Sequence, residues 1–199
     1  MSSVISPTHS TEHRTYELIV LTASAGGIEA LTAILACLPP TFPIPIVVLM
    51  HHAPERTRML IRVLAARTSL RVVEAVEGRH LEPGVVYVGP ADKHLGVTAN
   101  KTLASSDGRK INFLRSSADP LLDSVVSVFG RSAVAIILSG SGRNGAQGAK
   151  ALHDAGGLVI AQDRESSLHF GMPGAAIAAG AVNRVLPLRS IGPALLALA

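Results

Sequence analysis

The chain has 199 residues, 48% of them hydrophobic and only 3% aromatic, with one cysteine and a formal net charge of +4. That length suits one domain with a substantial core; the lone Cys37 excludes an internal disulfide or a cysteine zinc cluster, and no run reaches the about 18 apolar residues of a membrane-spanning helix. The positive charges are spread out, with Arg56, Arg58, Arg62 and Arg67 around one segment and no aromatic-laced basic stripe, so a nucleic-acid surface is disfavoured.

Residues 1–15 are rich in Ser, Thr and His and lack a basic start followed by an apolar run. They read as a flexible tail rather than a secretory signal. Residues 16–199 form the single domain, which the reducing chemistry implied by one cysteine places in the cytoplasm.

Short β-branched runs alternate with helical patterns, which predicts a parallel α/β sheet covered by helices on both faces. The first strand spans residues 16–22 and leads through Ser24-Ala-Gly-Gly27 into a helix that stops at Pro39-Pro40. A second strand over residues 46–50 ends at His51-His52, and a helix follows from about Arg56 to Ala66. Residues 71–75, 85–88, 94–98 and 101–104 are then four short strands with no helix between them, and Asn100 marks a tight hairpin turn. The alternation resumes with a helix over residues 120–129 and a strand over 133–139. The turn Gly140-Ser-Gly-Arg-Asn-Gly145 follows, with a helix as far as Gly156-Gly157. A strand over 158–162, a helix after Pro173, a strand over 184–186 and a helix from Ser190 complete the chain.

Sites in open α/β sheets form beyond the carboxyl ends of the strands. Three strand ends here carry hydrolase chemistry: the hydroxyl of Ser24, the imidazole of His52 and the amide of Asn144. A glycine-bordered strand-to-helix turn can present Ser24 beside helix-start N–H groups that stabilise an oxyanion. The same turn fits an N-cap serine or a phosphate cradle equally well, although it lacks both the dinucleotide spacing and the P-loop lysine. Adjacent His51 and His52 point to opposite faces, so one of them at most serves as a base. Neither belongs to a metal-ligand spacing. Asn144 either caps the next helix or accepts a hydrogen bond from an imidazole.

Several motifs occur in one order: Ala23-Ser-Ala-Gly-Gly27, His52 with Pro54 and Thr57, and Tyr87-Val-Gly-Pro-Ala-Asp-Lys-His94. Ser117-Ala-Asp119, Leu138-Ser-Gly-Ser-Gly142 with Asn144-Gly145, Ala161-Gln162 and Phe170-Gly-Met-Pro173 follow them. From about Leu18 to the C-terminus the chain resembles the CheB-type protein-glutamate methylesterases. The resemblance implies a doubly wound, mostly parallel three-layer α/β/α fold with an antiparallel hairpin at one edge. It also implies hydrolysis of glutamate γ-methyl esters, or deamidation of glutamine, on chemotaxis receptors or similar signalling proteins. Ser24 is then the nucleophile and His52 the general base. The backbone N–H groups of Ala25 and Ser141 form the oxyanion site, and no cofactor or metal takes part.

The sequence departs from the family at the triad aspartate, which aligns with Asn144; Ser141 stands where methionine is usual and Thr22 where glycine is common. His51, in a commonly amide position, is expected to donate to substrate. A neutral amide can orient an imidazole but cannot stabilise imidazolium with a full charge. The consequence is a weak hydrolase, a different acid such as Asp119 or Asp92 in the aspartate's place, or a catalytically impaired module that only binds its signalling partner. A receiver domain needs roughly a hundred further residues, so control by a receiver within these residues is not expected.

Overall fold

A computed structural model describes residues 15–53, 56–108 and 116–199. The expected tail, residues 1–15, lies outside the described residues except for Thr15. Seven parallel strands form the main sheet: β1 (Leu18–Ala23), β2 (Ile46–Met50), β3 (Arg71–Glu74), β4 (Val85–Val88), β7 (Ala133–Ile137), β8 (Leu158–Gln162) and β9 (Arg184–Leu186), in the order β3-β4-β2-β1-β7-β8-β9. Strands β5 (His94–Val97) and β6 (Leu103–Ser106) form the antiparallel hairpin, which is a second two-stranded sheet of its own.

Side-chain alternation along the strands explains the layers. Ile19, Leu21 and Ala23 of β1, with Ile46, Val48 and Met50 of β2, face helices α1 (Gly27–Leu35), α2 (Thr57–Ala65) and α6 (Leu188–Leu196). Leu18 and Val20, with Val47 and Leu49, face α3 (Ala118–Phe129), α4 (Ala146–Asp154), α5 (Gly171–Ala178) and the hairpin. Small aliphatic side chains fill both cores, and the central strands β1, β2, β4, β7 and β8 are buried along their whole length.

Connections leave β1 toward β2 on one side of the sheet, and β7 continues the other side through β8 to β9. The winding direction therefore reverses between β1 and β7, which places the topological crevice at their carboxyl ends. The loop carrying Ser24 and the loop carrying Asn144 both open there.

Several boundaries shift by one or two residues from the sequence reading, and two of the shifts have a clear physical reason. Strand β6 begins at Leu103 rather than Lys101, because the hairpin turn closes through Thr98 and Thr102 with Lys101 at φ +56°, outside the strand conformation. Helix α5 starts at Gly171, since a proline at the third position, Pro173, sits in a first turn whose N–H groups need no intrahelical partner.

Parallel neighbours β3 and β4 are joined without a helix, by residues 75–84. That segment is tied to the hairpin by Gly78 N–H to the Leu103 carbonyl and Leu103 N–H to the Arg79 carbonyl, 2.8 Å each. Fully buried Tyr87 braces it from beneath: its hydroxyl donates to the His80 carbonyl and accepts from the Glu82 N–H, both at 2.9 Å. Tyr87→Phe leaves both backbone groups without this partner. A loss of about 1–3 kcal/mol is expected in guanidinium unfolding, and an unchanged midpoint would show that the brace is dispensable.

Candidate active site

Ser24 follows β1 directly, in a turn closed by Gly27 N–H to the Ser24 carbonyl at 2.8 Å. Gly26 caps α1 at φ +78°, and a Cβ there would lie 2.8 Å from both the Leu168 Cβ and the Ser139 Oγ. Only glycine fits that position. Gly140, in the loop after β7, approaches from the other side: a Cβ there would lie 2.9 Å from the Ser24 Cβ and 2.3 Å from the Met172 sulfur.

Ser139 joins the two loops. Its carbonyl accepts from the Ser24 N–H at 3.0 Å, its hydroxyl donates to the Ala25 carbonyl at 2.8 Å, and that hydroxyl accepts from the His169 N–H at 3.0 Å. Its own N–H donates to the Gln162 side-chain oxygen at 2.9 Å, and the Gln162 amide nitrogen donates to the Ser166 carbonyl at 2.7 Å. Buried Ser139 and Gln162 are thus the scaffold of the serine turn. Their signal in the sequence was membership of a motif, with no role attached.

Ala23 and Met50 are register partners in β1 and β2, and the ladder runs on through His51 N–H to the Ala23 carbonyl at 3.4 Å. Ser24 and His51 are therefore the next pair, on strands about 4.8 Å apart. Alternation gives them the same face, that of Leu18, Val20, Val47 and Leu49, whereas His52 follows Met50 to the other. Ser24, His51 and His52 all border one cavity of about 530 Å³ between the starts of α1 and α2.

Asn144 meets His51, not His52. Its Nδ2 lies 2.8 Å from the His51 Nε2, while the His52 Nδ1 lies 2.9 Å from the carbonyl of its neighbour Ala53. The expected pairing of Asn144 with the imidazole at 52 is thereby corrected, and the reason is strand parity. The His52 Nε2 is buried, and among the described residues it has no hydrogen-bond partner. Burial, the largest influence, pulls the His51 pKa below its ordinary 6.5; the Ser116 backbone carbonyl raises it and the neighbouring His52 lowers it further.

The orientation of the Asn144 amide follows from its other contacts. Its Oδ1 accepts from the Ser117 hydroxyl at 2.9 Å and the Ala118 N–H at 3.0 Å, at the start of α3. A backbone N–H only donates, so the atom facing it must be the oxygen, and the NH₂ must face His51. Asn144 therefore donates to the His51 Nε2, opposite to the acceptor role expected of it. Neither proposed substitute takes its place. Asp119 accepts from the Gly148 N–H in the first turn of α4 at 2.9 Å, and Asp92 is exposed. Among the described residues no carboxylate bonds to either histidine.

Ala25 and Ser141 are exposed at the two turns flanking Ser24, and among the described residues neither N–H is paired with a protein acceptor. Thr22 lies below the turn, inside β1, its hydroxyl 3.4 Å from the Ile136 carbonyl.

The family model for the CheB methylesterase matches residues 19–195. The chain belongs to the CheB methylesterase family. It is 40% identical over 181 residues to the protein-glutamate methylesterase FrzG of Myxococcus xanthus, covering 91% of this chain and 54% of that protein. It is 42% identical over 179 residues to a protein-glutamate methylesterase/protein-glutamine glutaminase of Anaeromyxobacter dehalogenans, covering 90% of this chain and 52% of that one. The chain spans about half the length of these curated relatives. The crystal structure of the CheB methylesterase catalytic domain of Thermotoga maritima superposes with a TM-score of 0.90 at 36% identity, over 93% of this chain and all of that one. The parallel sheet and its separate hairpin are thus the architecture of a CheB catalytic domain. No helix among the described residues is long and apolar enough to cross a membrane.

The Ser139 brace is open to test. Ser139→Ala leaves the His169 N–H without its acceptor and the Ala25 carbonyl without its donor. Unfolding free energy is expected to fall by about 1–3 kcal/mol, and guanidinium titration showing no loss would remove Ser139 from the scaffold.

Proposed function

We propose that this domain hydrolyses glutamate γ-methyl esters on chemotaxis-receptor-type signalling proteins in the cytoplasm, with Ser24 as nucleophile, His51 as base and a rate held down by Asn144. The observation that carries this reading is the contact of Asn144 with His51 beside Ser24, at the carboxyl ends of adjacent strands. The names of the relatives supply the ester and, as a related amide substrate, glutamine.

In the reaction, the Ser24 oxygen attacks the ester carbonyl and its proton passes to the Nε2 of His51, the one basic nitrogen of the neutral ring, after the Asn144 amide gives up its hold there. The N–H groups of Ala25 and Ser141 receive the developing oxyanion. His51 then protonates the departing methanol, and water releases the glutamate from Ser24 by the same steps in reverse order. No metal or cofactor enters.

Asn144 weakens this in two ways. By donating to the Nε2 of His51 it occupies a lone pair and holds the neutral ring as the Nδ1–H tautomer. Once His51 takes up a proton on Nε2, two N–H groups face each other where a carboxylate would accept. In serine proteases the corresponding Asp to Asn change lowers kcat by about 10⁴, or roughly 5 kcal/mol. The surroundings nevertheless suit a carboxylate, since the Ser117 hydroxyl and the Ala118 N–H both donate into the position.

Asn144→Asp is accordingly expected to raise methanol release from a methylated receptor by about two to four powers of ten. Ser24→Ala should abolish release in either background, His51→Ala should nearly do so, and His52→Ala should spare most of it. Turnover that survives Ser24→Ala sinks the nucleophile assignment. A second reading, a module that binds methylated receptors without turning them over, draws on the same Asn144 donation. It requires wild type and Ser24→Ala to release methanol equally poorly while both bind receptor.

The pH profile provides a separate check. Ser24 needs a neutral His51, and burial lowers the pKa of that ring below 6.5. Activity should therefore persist as pH falls to 6.5 and be lost only at lower pH. In Asn144→Asp the new carboxylate favours imidazolium, so the acidic limb should move upward. A limb that stays fixed between the two proteins would show that position 144 does not sense His51.

A further inference from the structure

Asn144 is followed by glycine, and none of the other asparagines, Asn100, Asn112 and Asn183, is. A glycine nitrogen has no side chain to shield it, and among the described residues the Gly145 N–H has no acceptor. The Asn144 side-chain carbonyl is polarised by two donors, the Ser117 hydroxyl and the Ala118 N–H at the start of α3. Its amide nitrogen lies 2.8 Å from an imidazole nitrogen of His51, within reach for proton transfer. An electrophilic carbon held in a small oxyanion site, an adjacent glycine nitrogen with no Cβ beside it and an imidazole at the leaving nitrogen are components of amide cleavage.

We propose that Asn144 is a self-modification site: its side-chain amide is lost to the Gly145 nitrogen and water, and the aspartate produced turns the attenuated site into a fully active one. The second half rests on the attenuated-esterase reading above; the first half does not. In the first step the Gly145 nitrogen forms a bond to the Asn144 Cγ and gives up its proton. The Cγ–Nδ2 bond breaks, and Nδ2 leaves as ammonia carrying that proton. Water then adds to the five-membered imide at Cγ, where Ser117 and Ala118 still donate, and breaks the new Cγ–N bond. The main chain is restored with a carboxylate at 144, which accepts from Ser117, Ala118 and a protonated His51 together.

The test uses the full chain, freshly purified and then held at mildly alkaline pH, with peptide mass spectrometry resolving Asn, Asp and isoaspartate at position 144. Expected is conversion to aspartate ahead of Asn100 and Asn183 and faster than in the same chain unfolded in guanidinium. Methanol release should rise with it by about two to four powers of ten, toward the level of Asn144→Asp. Ser117→Ala should slow the conversion, and Asn144→Gln, which cannot close a five-membered imide, should keep its amide. Asn144 still an amide in the folded protein after the unfolded chain has converted it, or isoaspartate as the product, would overturn the modification. If Asn144→Asp is active in that case, the esterase reading stands. Conversion with no gain in activity overturns the switch, and an equally inactive Asn144→Asp then takes the attenuated-esterase reading with it.

Discussion

The hydrogen bond from the Ala118 N–H to the Asn144 side-chain oxygen sets the chemistry of the site. A main-chain amide cannot reverse its polarity, so the orientation of the Asn144 side chain is fixed from the α3 side, and what reaches His51 is the NH₂. The tautomer of the ring follows from that donor, and with no carboxylate bonded to it among the described residues, burial is the largest influence on its pKa and pulls it down. The same donor, with the Ser117 hydroxyl beside it, makes position 144 hospitable to an acid.

The cleft exists because the sheet reverses its winding between β1 and β7. Parallel pairing puts every strand's carboxyl end on the same edge, so the residues just beyond β1, β2 and β7 meet although more than a hundred positions separate Ser24 from Asn144. Within that arrangement the period of two in a strand selects between the histidines. Ala23 opposite Met50 makes His51 the partner of Ser24, and a slip of one residue would bring His52 forward instead. Hydrogen bonds around Ser139 then hold the serine turn against the loop after β7, so the two glycine-rich turns act as one unit.

Much of this was legible in the residues. Alternating apolar runs and helical patterns gave the layers, and the helix-free stretch from Arg71 to Ala104 located the hairpin. Glycine-rich turns after strands marked Ser24 and Asn144. What could not be read was register. Two adjacent histidines announce that only one can face a given side, yet the choice depends on which residue of β1 stands opposite Met50, a long-range fact carried by no local pattern. The direction of the Asn144 amide was hidden for a similar reason. It is imposed by Ser117 and Ala118, 27 and 26 positions away, and an asparagine viewed alone can accept or donate equally well. Ser139 and Gln162 escaped notice as scaffold because a buried serine and a buried glutamine declare themselves only through their partners.

Position 144 also separates what the fold needs from what catalysis needs. Asparagine and aspartate have nearly the same shape, and either offers an oxygen to the two donors at the start of α3. The structural demand at this position is thus met by an acceptor of the right size, whatever its charge. In the proposed reaction the demand is for charge on the side facing His51, which the two donors at the start of α3 do not require. A substitution that is almost silent for folding can therefore act on the reaction alone. The brace around Ser139 illustrates the reverse, since its groups are engaged with backbone and its loss acts through the position of the turn.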